Sequence, residues 1–248
     1  MNTSARSVDD VRALPALAPP PRSSLVFWFV GITTAGVGLA ILAQRIAAHA
    51  DLWHWSTALA ALGGVVAADF LSGIVHWAAD TWGHEDMPVV GQRVLVPFRV
   101  HHLNPDDFLR RRFLDTNGDV AWITTPLLLA CCLLPLETTW ESLIAVFGFG
   151  LCLSGVMTNQ IHQWAHMPSP PAAVRILQNC GVLLGRREHA GHHAGPYDQN
   201  YCITTGWCNP LLDRVGFYRH LEAIITWLTG ARPRVDDDRY VITFQQSL

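Results

Sequence analysis

The chain contains no lysine; all seventeen of its basic residues are arginine. Charged residues make up only 15% of the 248, against about 25% in ordinary soluble domains. The formal net charge is −3, so bulk positive charge for nucleic-acid binding is excluded. None of the six cysteines (Cys131, Cys132, Cys152, Cys180, Cys202 and Cys208) forms a C-x-x-C pair, and three lie in apolar runs. That usage argues against a disulfide framework or a thiolate metal site and for reduced packing residues. Half of the residues are apolar and the mean hydropathy is +0.21. A chain this poor in charge and this rich in long apolar runs points to membrane spans.

Four such runs are present. Residues 25–43 carry no charge and are long enough to cross the hydrocarbon core. Residues 55–74 form a second span, with Trp53 and Trp55 as interfacial anchors. This span contains Asp69, a charge costly in lipid and therefore expected to face protein. Residues 120–136 and 142–157 make two shorter spans, joined by a tight turn at 137–141. Residues 1–24, with Pro15 and the run Pro19-Pro20-Pro21, read as a disordered cytoplasmic tail rather than a cleaved signal peptide. Residues 172–184 suit an interfacial or buried helix, because Arg175 interrupts an already short run. Phe217, Leu221, Ile224, Ile225 and Leu228 repeat at helical spacing, with Arg219, His220 and Glu222 off the stripe, as in an amphipathic helix. The expected architecture is all-α: an integral membrane four-helix bundle with a cytoplasmic helical cap. The main domain runs over 25–238, with a short tail at 239–248.

Arginine placement sets the topology. Three arginines fall in 1–24, five in 76–120 and eight in 158–248, while Arg45 alone lies on the other side. The positive-inside rule then puts both termini in the cytoplasm.

Eight of the twelve histidines fall into four groups just beyond the ends of apolar runs. His189, His192 and His193 sit at relative positions 0, 3 and 4, which on a helix would share one face. His162 and His166 are spaced i,i+4; His101 and His102 are adjacent; His76 is followed at i+4 by Asp80. An i,i+4 pair can chelate one ion from one helix face. Adjacent histidines on a helix point about 100° apart and can serve different ions. Eight histidines and a carboxylate are too many for one zinc, which takes about four ligands. Two metals fit better, and nitrogen-rich coordination without thiolate suits iron, with copper or zinc possible on ligand type alone. A redox di-metal centre beside lipid suggests O2 chemistry on a lipid chain. A divalent-metal carrier or sensor would place its ligands mid-membrane along a path. Here the histidines gather past the ends of the spans, which favours an enzyme.

Six stretches carry a resemblance: Val-His-Trp-Ala-Ala-Asp-Thr-Trp-Gly at 75–83, Pro-Phe-Arg-Val-His-His at 97–102, Asp-Thr-Asn-Gly-Asp at 115–119, Thr-Asn-Gln-Ile-His-Gln-Trp-Ala-His at 158–166, Glu-His-Ala-Gly-His-His at 188–193 and Tyr-Cys-Ile-Thr-Thr-Gly-Trp at 201–207. Over about residues 55–238 the chain resembles the plasmanylethanolamine desaturase family, also called the Kua-like or lipid desaturase family. The resemblance implies a membrane-bound di-iron desaturase using O2. Its iron ligands would be His76, His101, His102, His162, His166, His189, His192 and His193, with Asp80 a ninth or a supporting partner. It implies a phospholipid substrate whose alkyl chain gains a vinyl-ether double bond. Electrons would come from a ferredoxin- or cytochrome b5-type carrier, and the setting would be a bacterial inner membrane. A trans-desaturase of acyl chains is the second reading and a hydroxylase the third. One position departs from the family: Arg111 stands where relatives carry a histidine. His49, His54, His84 and His220 have no counterpart and read as bystanders. Asn117 and Asp119 read as a turn or as ligand-orienting residues, and Asn159 as a hydrogen-bond partner within the site. Residues 201–207 read as a strand-like segment near the headgroups. Arg99, Arg186 and Arg187 read as phosphate-holding or simply topology-setting residues.

Overall fold

The computed structural model describes residues 16–49, 54–194 and 197–234. Trp53, the acidic run 236–238 and the tail at 239–248 lie outside the described residues. The described residues are all-helical, without a strand. Ten α-helices follow in order: α1 Arg22–Ala47, α2 Trp55–Thr81, α3 Val96–Leu103, α4 Pro105–Leu109, α5 Phe113–Cys132, α6 Thr139–His166, α7 Ala172–Asn179, α8 Arg186–Ala190, α9 Asn209–Arg214 and α10 Phe217–Thr229. A π-helical turn, Gly91–Leu95, leads directly into α3.

Three helices, α1, α2 and α6, are long and apolar enough to cross a membrane. They are 26, 27 and 28 residues long, so each is about 40 Å and overshoots the roughly 30 Å hydrocarbon core. The expected run 120–136 falls on α5, which begins earlier, at Phe113, and holds Asp115 and Asp119 in its first two turns. The outward faces carry side chains that water would not tolerate together: Phe29 on α1, Val75 on α2, Ile123 on α5 and Trp140 on α6 are all exposed. Lipid is the solvent that suits them, and the protein is a membrane protein.

α2 packs along α6, α1 along α5, and α5 along α6. The α2–α6 contact depends on absent side chains. A Cβ at Gly64 would lie 2.1 Å from the Phe147 carbonyl oxygen, and one at Gly150 would lie 2.5 Å from that of Ala61. Small residues let two membrane helices approach backbone to backbone, where van der Waals contact replaces the missing hydrophobic drive. Between α1, α5 and α6 the core is filled by Ala35, Leu42, Ala121, Leu128, Ala145 and Cys152. Arg45 donates to the carbonyls of Cys132 and Leu134 and so caps the end of α5.

α6 starts with a capping box, in which Thr138 accepts from Glu141 N and the Glu141 carboxylate accepts from Thr138 N. It then runs without a break to His166. That length carries His162 and His166 past the span, to the same end as His76 and Asp80 on α2.

The sequence expectation of a turn at Asn117-Gly118-Asp119 is corrected: all three lie inside α5. Tertiary contacts override the local turn preference. Asn117 is fully buried and accepts from the Gln160 backbone N–H on α6. Gly118 gives room to the Trp28 ring of α1, and Asp119 accepts from Trp28 Nε1 at 3.0 Å. Residues 201–207 form an extended loop rather than part of a sheet, because their N–H groups bond to side chains of α2. The amphipathic stripe at 217–228 is α10, as its period implied.

Candidate metal centre

The nine ligand candidates meet at one end of the bundle. They arrive from α2 (His76, Asp80), α3 (His101, His102), α6 (His162, His166) and the α8 region (His189, His192, His193). They fall into two groups. His101, His162, His166, His189 and His193 form one, and His76, Asp80, His102 and His192 form the other. Within each group the candidate ligand atoms lie within 4.8 Å of one another.

Helix geometry explains most of the division. His162 and His166, one turn apart on α6, enter the same group, as do His76 and Asp80 on α2. His101 and His102 diverge on α3 and enter different groups. The third histidine set departs from the sequence expectation. α8 ends at Ala190, so His192 and His193 lie on a turn and the three imidazoles do not share one helix face. His189 and His193 join the group of five, and His192 joins His76 and His102.

The nitrogens converge closely. In the first group Nε2 atoms of His166 and His189 are 2.7 Å apart, His162 and His189 2.8 Å, and His193 and His101 3.1 Å. A neutral imidazole Nε2 can donate or accept but not both. His189 Nε2 faces three other Nε2 atoms, and no assignment of single protons satisfies them all. Lone pairs converging on one point form a cation shell. In the second group His102 and His192 Nε2 are 3.0 Å apart. Asp80 Oδ2 lies 3.3 Å from His76 Nε2 and 3.5 Å from both His102 and His192 Nε2. Yet His76 Nε2 and both Asp80 oxygens are buried with no partner in hydrogen-bonding geometry. A buried carboxylate in that state is costly unless it is charge-compensated. The donor set, eight imidazoles and one carboxylate without thiolate, fits two hard-to-borderline ions such as iron.

Neighbouring carbonyls set the tautomers. His76 Nδ1 is 3.0 Å from the Tyr201 carbonyl oxygen, and His192 Nδ1 is 2.8 Å from that of Gln199. A carbonyl only accepts, so both Nδ1 atoms carry the proton and both Nε2 lone pairs are left for a metal. Apolar rings close the chamber: Phe98 meets His76, and Phe108 meets both His101 and His162. Burial, more than any other cause, holds His101, His102, His189 and His193 below the ordinary imidazole range. Neighbouring histidines add to this for His101, His189 and His193, whereas at His102 the Asp80 charge opposes it. These imidazoles are therefore neutral near pH 7, as ligands must be.

Arg111 is engaged elsewhere. It pairs with Asp107 at 2.8 Å and donates to the carbonyls of Leu17 and Ala18. Arg99 is not available to a lipid phosphate: it is buried, pairs with Glu85 and donates to the Gly83 carbonyl. Arg186 and Arg187 are exposed. Asn159 bonds to the Thr116 carbonyl on α5 and ties two helices together rather than touching a ligand. His49, His54, His84 and His220 belong to neither group. His54 caps α2 at the opposite end, about 33 Å along the helix from His76. Sequence reasoning missed the Tyr201 and Gln199 carbonyls, for which a backbone atom leaves no sequence signal. It also missed Gln163, which donates to the Phe108 and Arg111 carbonyls and anchors the α4–α5 corner to α6.

The family model for the lipid desaturase domain matches residues 65–236, more than half of the chain and every candidate ligand. The chain belongs to the lipid desaturase family. It is 42% identical over 183 residues to the plasmanylethanolamine desaturase of Myxococcus xanthus, covering 74% of this chain and 65% of that one. It is 44% identical over 188 residues to plasmanylethanolamine desaturase 1 of Mus musculus, covering 73% of this chain and 69% of the mouse protein. Fatty acid desaturase 4, chloroplastic, of Arabidopsis thaliana is 36% identical over 179 residues, 71% of this chain and 54% of its own length. The match thus spans about two-thirds of the length of the bacterial and mouse relatives. No solved structure matches.

Proposed function

We propose that this chain is a membrane-bound di-iron desaturase that introduces the vinyl-ether double bond into the alkyl chain of a plasmanyl ether phospholipid. The observation that carries the reading is the pair of ligand groups, five and four, at one end of a bundle whose sides are built for lipid. His101, His162, His166, His189 and His193 would hold one iron, and His76, Asp80, His102 and His192 the other. A reduced iron pair supplies the O2-dependent removal of two hydrogens from an unactivated chain; with two electrons and two protons taken up, O2 leaves as two waters. The protein's own contribution is positional. Tyr201 and Gln199 hold two imidazoles in the ligating tautomer, and Phe98 and Phe108 keep water from the chamber.

The electrons would come from a ferredoxin- or cytochrome b5-type donor. The arginine distribution supports an orientation with both termini and the centre cytoplasmic and with α5 as a fourth span, and the similarity to a Myxococcus xanthus protein supports a bacterial inner membrane as the setting. Similarity to Fatty acid desaturase 4 supports a second reading, desaturation of an acyl chain.

One experiment separates the two. The protein is expressed in a host fed alkyl ether lipids, and the lipids are treated with mild acid. A vinyl ether releases a long-chain aldehyde, whereas an acyl double bond survives. Aldehyde from the wild type but not from His193→Ala supports the first reading. An acid-stable trans-unsaturated acyl chain without aldehyde would replace it with the second.

A further inference from the structure

Asp69 is fully buried near the middle of α2, and it is the one charged residue in the long apolar run 55–74 of that helix. Its partners are neither arginine nor metal but the backbone of a distant loop. Oδ1 accepts from the N–H groups of Thr204, Thr205 and Gly206 at 3.2, 2.7 and 2.9 Å, and Oδ2 accepts from Cys208 N at 3.0 Å. The neighbouring amides are also accounted for. Cys202 N donates to Asn209 Oδ1, Ile203 N to Ser72 Oγ, and Trp207 N to Thr205 Oγ1. Every backbone N–H from Cys202 to Cys208 therefore has an acceptor within the protein. Surface loops leave such groups to water. A stretch that satisfies all of them internally is one that can exist where water is absent.

Its depth agrees. Val75 is an outward-facing apolar residue of α2 and still belongs to the lipid-facing surface. Asp69 lies six residues before it and Val66, whose carbonyl faces Cys208 Sγ, lies nine before it. At 1.5 Å per residue these points are about 9 and 14 Å deeper along the helix. On its other side the loop meets α6, through Thr204 and Thr158 hydroxyls 2.8 Å apart. α2 and α6 are both helices able to cross a membrane. The large apolar side chains left uncovered here are Trp207 and Leu211, 43% and 66% exposed.

We propose that residues 201–208 are a re-entrant loop set between α2 and α6 within the hydrocarbon layer. Trp207 and Leu211 lie against phospholipid acyl chains, and Asp69 is the positioning residue that holds the loop there. The same loop carries the Tyr201 carbonyl that fixes His76, so its seating below the chamber and the orientation of one ligand are a single structural unit. The inference needs only that α2 and α6 cross the membrane; it does not depend on the reaction or the metal.

The test uses the full-length protein in phospholipid nanodiscs. Trp207→Cys and Leu211→Cys are made in a background of Cys132→Ser, Cys180→Ser and Cys208→Ser, which removes the three thiols that are not fully buried, and labelled with a nitroxide. Collision with O2, which concentrates in lipid, is compared with collision with a water-soluble nickel chelate. Leu62→Cys, on the exposed face of α2, serves as the lipid reference and Arg219→Cys as the aqueous one. Positions 207 and 211 are expected to match Leu62→Cys; a match to Arg219→Cys at either would overturn the proposal. A second measurement follows hydrogen exchange in Asp69→Asn, which keeps the shape but loses the charge. Exchange across 202–208 is expected to quicken about tenfold or more, as loss of one charge-assisted bond implies, while α1 and α5 stay unchanged. Unaltered exchange in the loop would remove Asp69 from its assigned role.

Discussion

Adjacent histidines in different groups allow the two-group geometry to be separated by single substitutions. His192 belongs with His76, Asp80 and His102, whereas His193 belongs with four other histidines. His192→Ala leaves three ligands in a group that began with four, and His193→Ala leaves four in a group that began with five. Loss of a residue that merely supports a ligand costs about 10–100-fold in metal affinity, and loss of a ligand itself costs at least that. That range corresponds to about 1.4–2.7 kcal/mol. The His192 loss falls on the smaller group and removes one of the three imidazoles that face Asp80. His192→Ala is therefore expected to hold close to one iron per chain, and His193→Ala closer to two, though more weakly than wild type. Elemental analysis after titration with a graded series of chelators reads the difference, and the acid-released aldehyde reads activity, which both variants should lose. If His192→Ala retained two irons with undiminished resistance to chelator, the division into five and four would be refuted.

Further outcomes follow from the same geometry. His84→Ala and His220→Ala, outside both groups, should keep the wild-type iron content and most activity; a loss equal to that of His192→Ala would show a ligand set wrongly drawn. The iron-free protein should lose stability as pH falls. His101, His189 and His193 have folded-state pKa values well below the ordinary 6.5, so below that pH the unfolded chain binds more protons than the folded one. Thermal midpoints of chelated protein should hold above about pH 6.5 and decline steadily beneath it, and a midpoint that rose on acidification would contradict neutral burial. Gly64→Leu should drive α2 and α6 apart, because even a Cβ there meets the Phe147 carbonyl oxygen at 2.1 Å. A loss of at least about 1–3 kcal/mol is expected for such overpacking, read as a lower unfolding midpoint in detergent, while Gly36→Leu, with open space around it, should be tolerated.

Local features were legible in the order of residues alone. Long uncharged runs determined helices of membrane length, and the stripe at 217–228 determined an amphipathic helix. The i,i+4 pairs His162/His166 and His76/Asp80 acted together because one helical turn brings such residues to one face whatever surrounds them. Asp69 announced by its charge that it must face protein. Features that need two distant segments came only from packing. Asn117-Gly118-Asp119 has the composition of a turn but is helical, because Trp28 on α1 and Gln160 on α6 need those residues on α5. His189, His192 and His193 split between groups, and which group each enters depends on the α2, α3 and α6 histidines that packing brings to it. The β-branched stretch 201–207 makes no sheet, because one carboxylate 135 residues away in sequence offers its amides better acceptors than any strand. Periodicity reports which face a residue takes on its own element. Which element lies opposite depends on how the helices pack, and the partners of Asp69 and the division of the histidines depended on that packing.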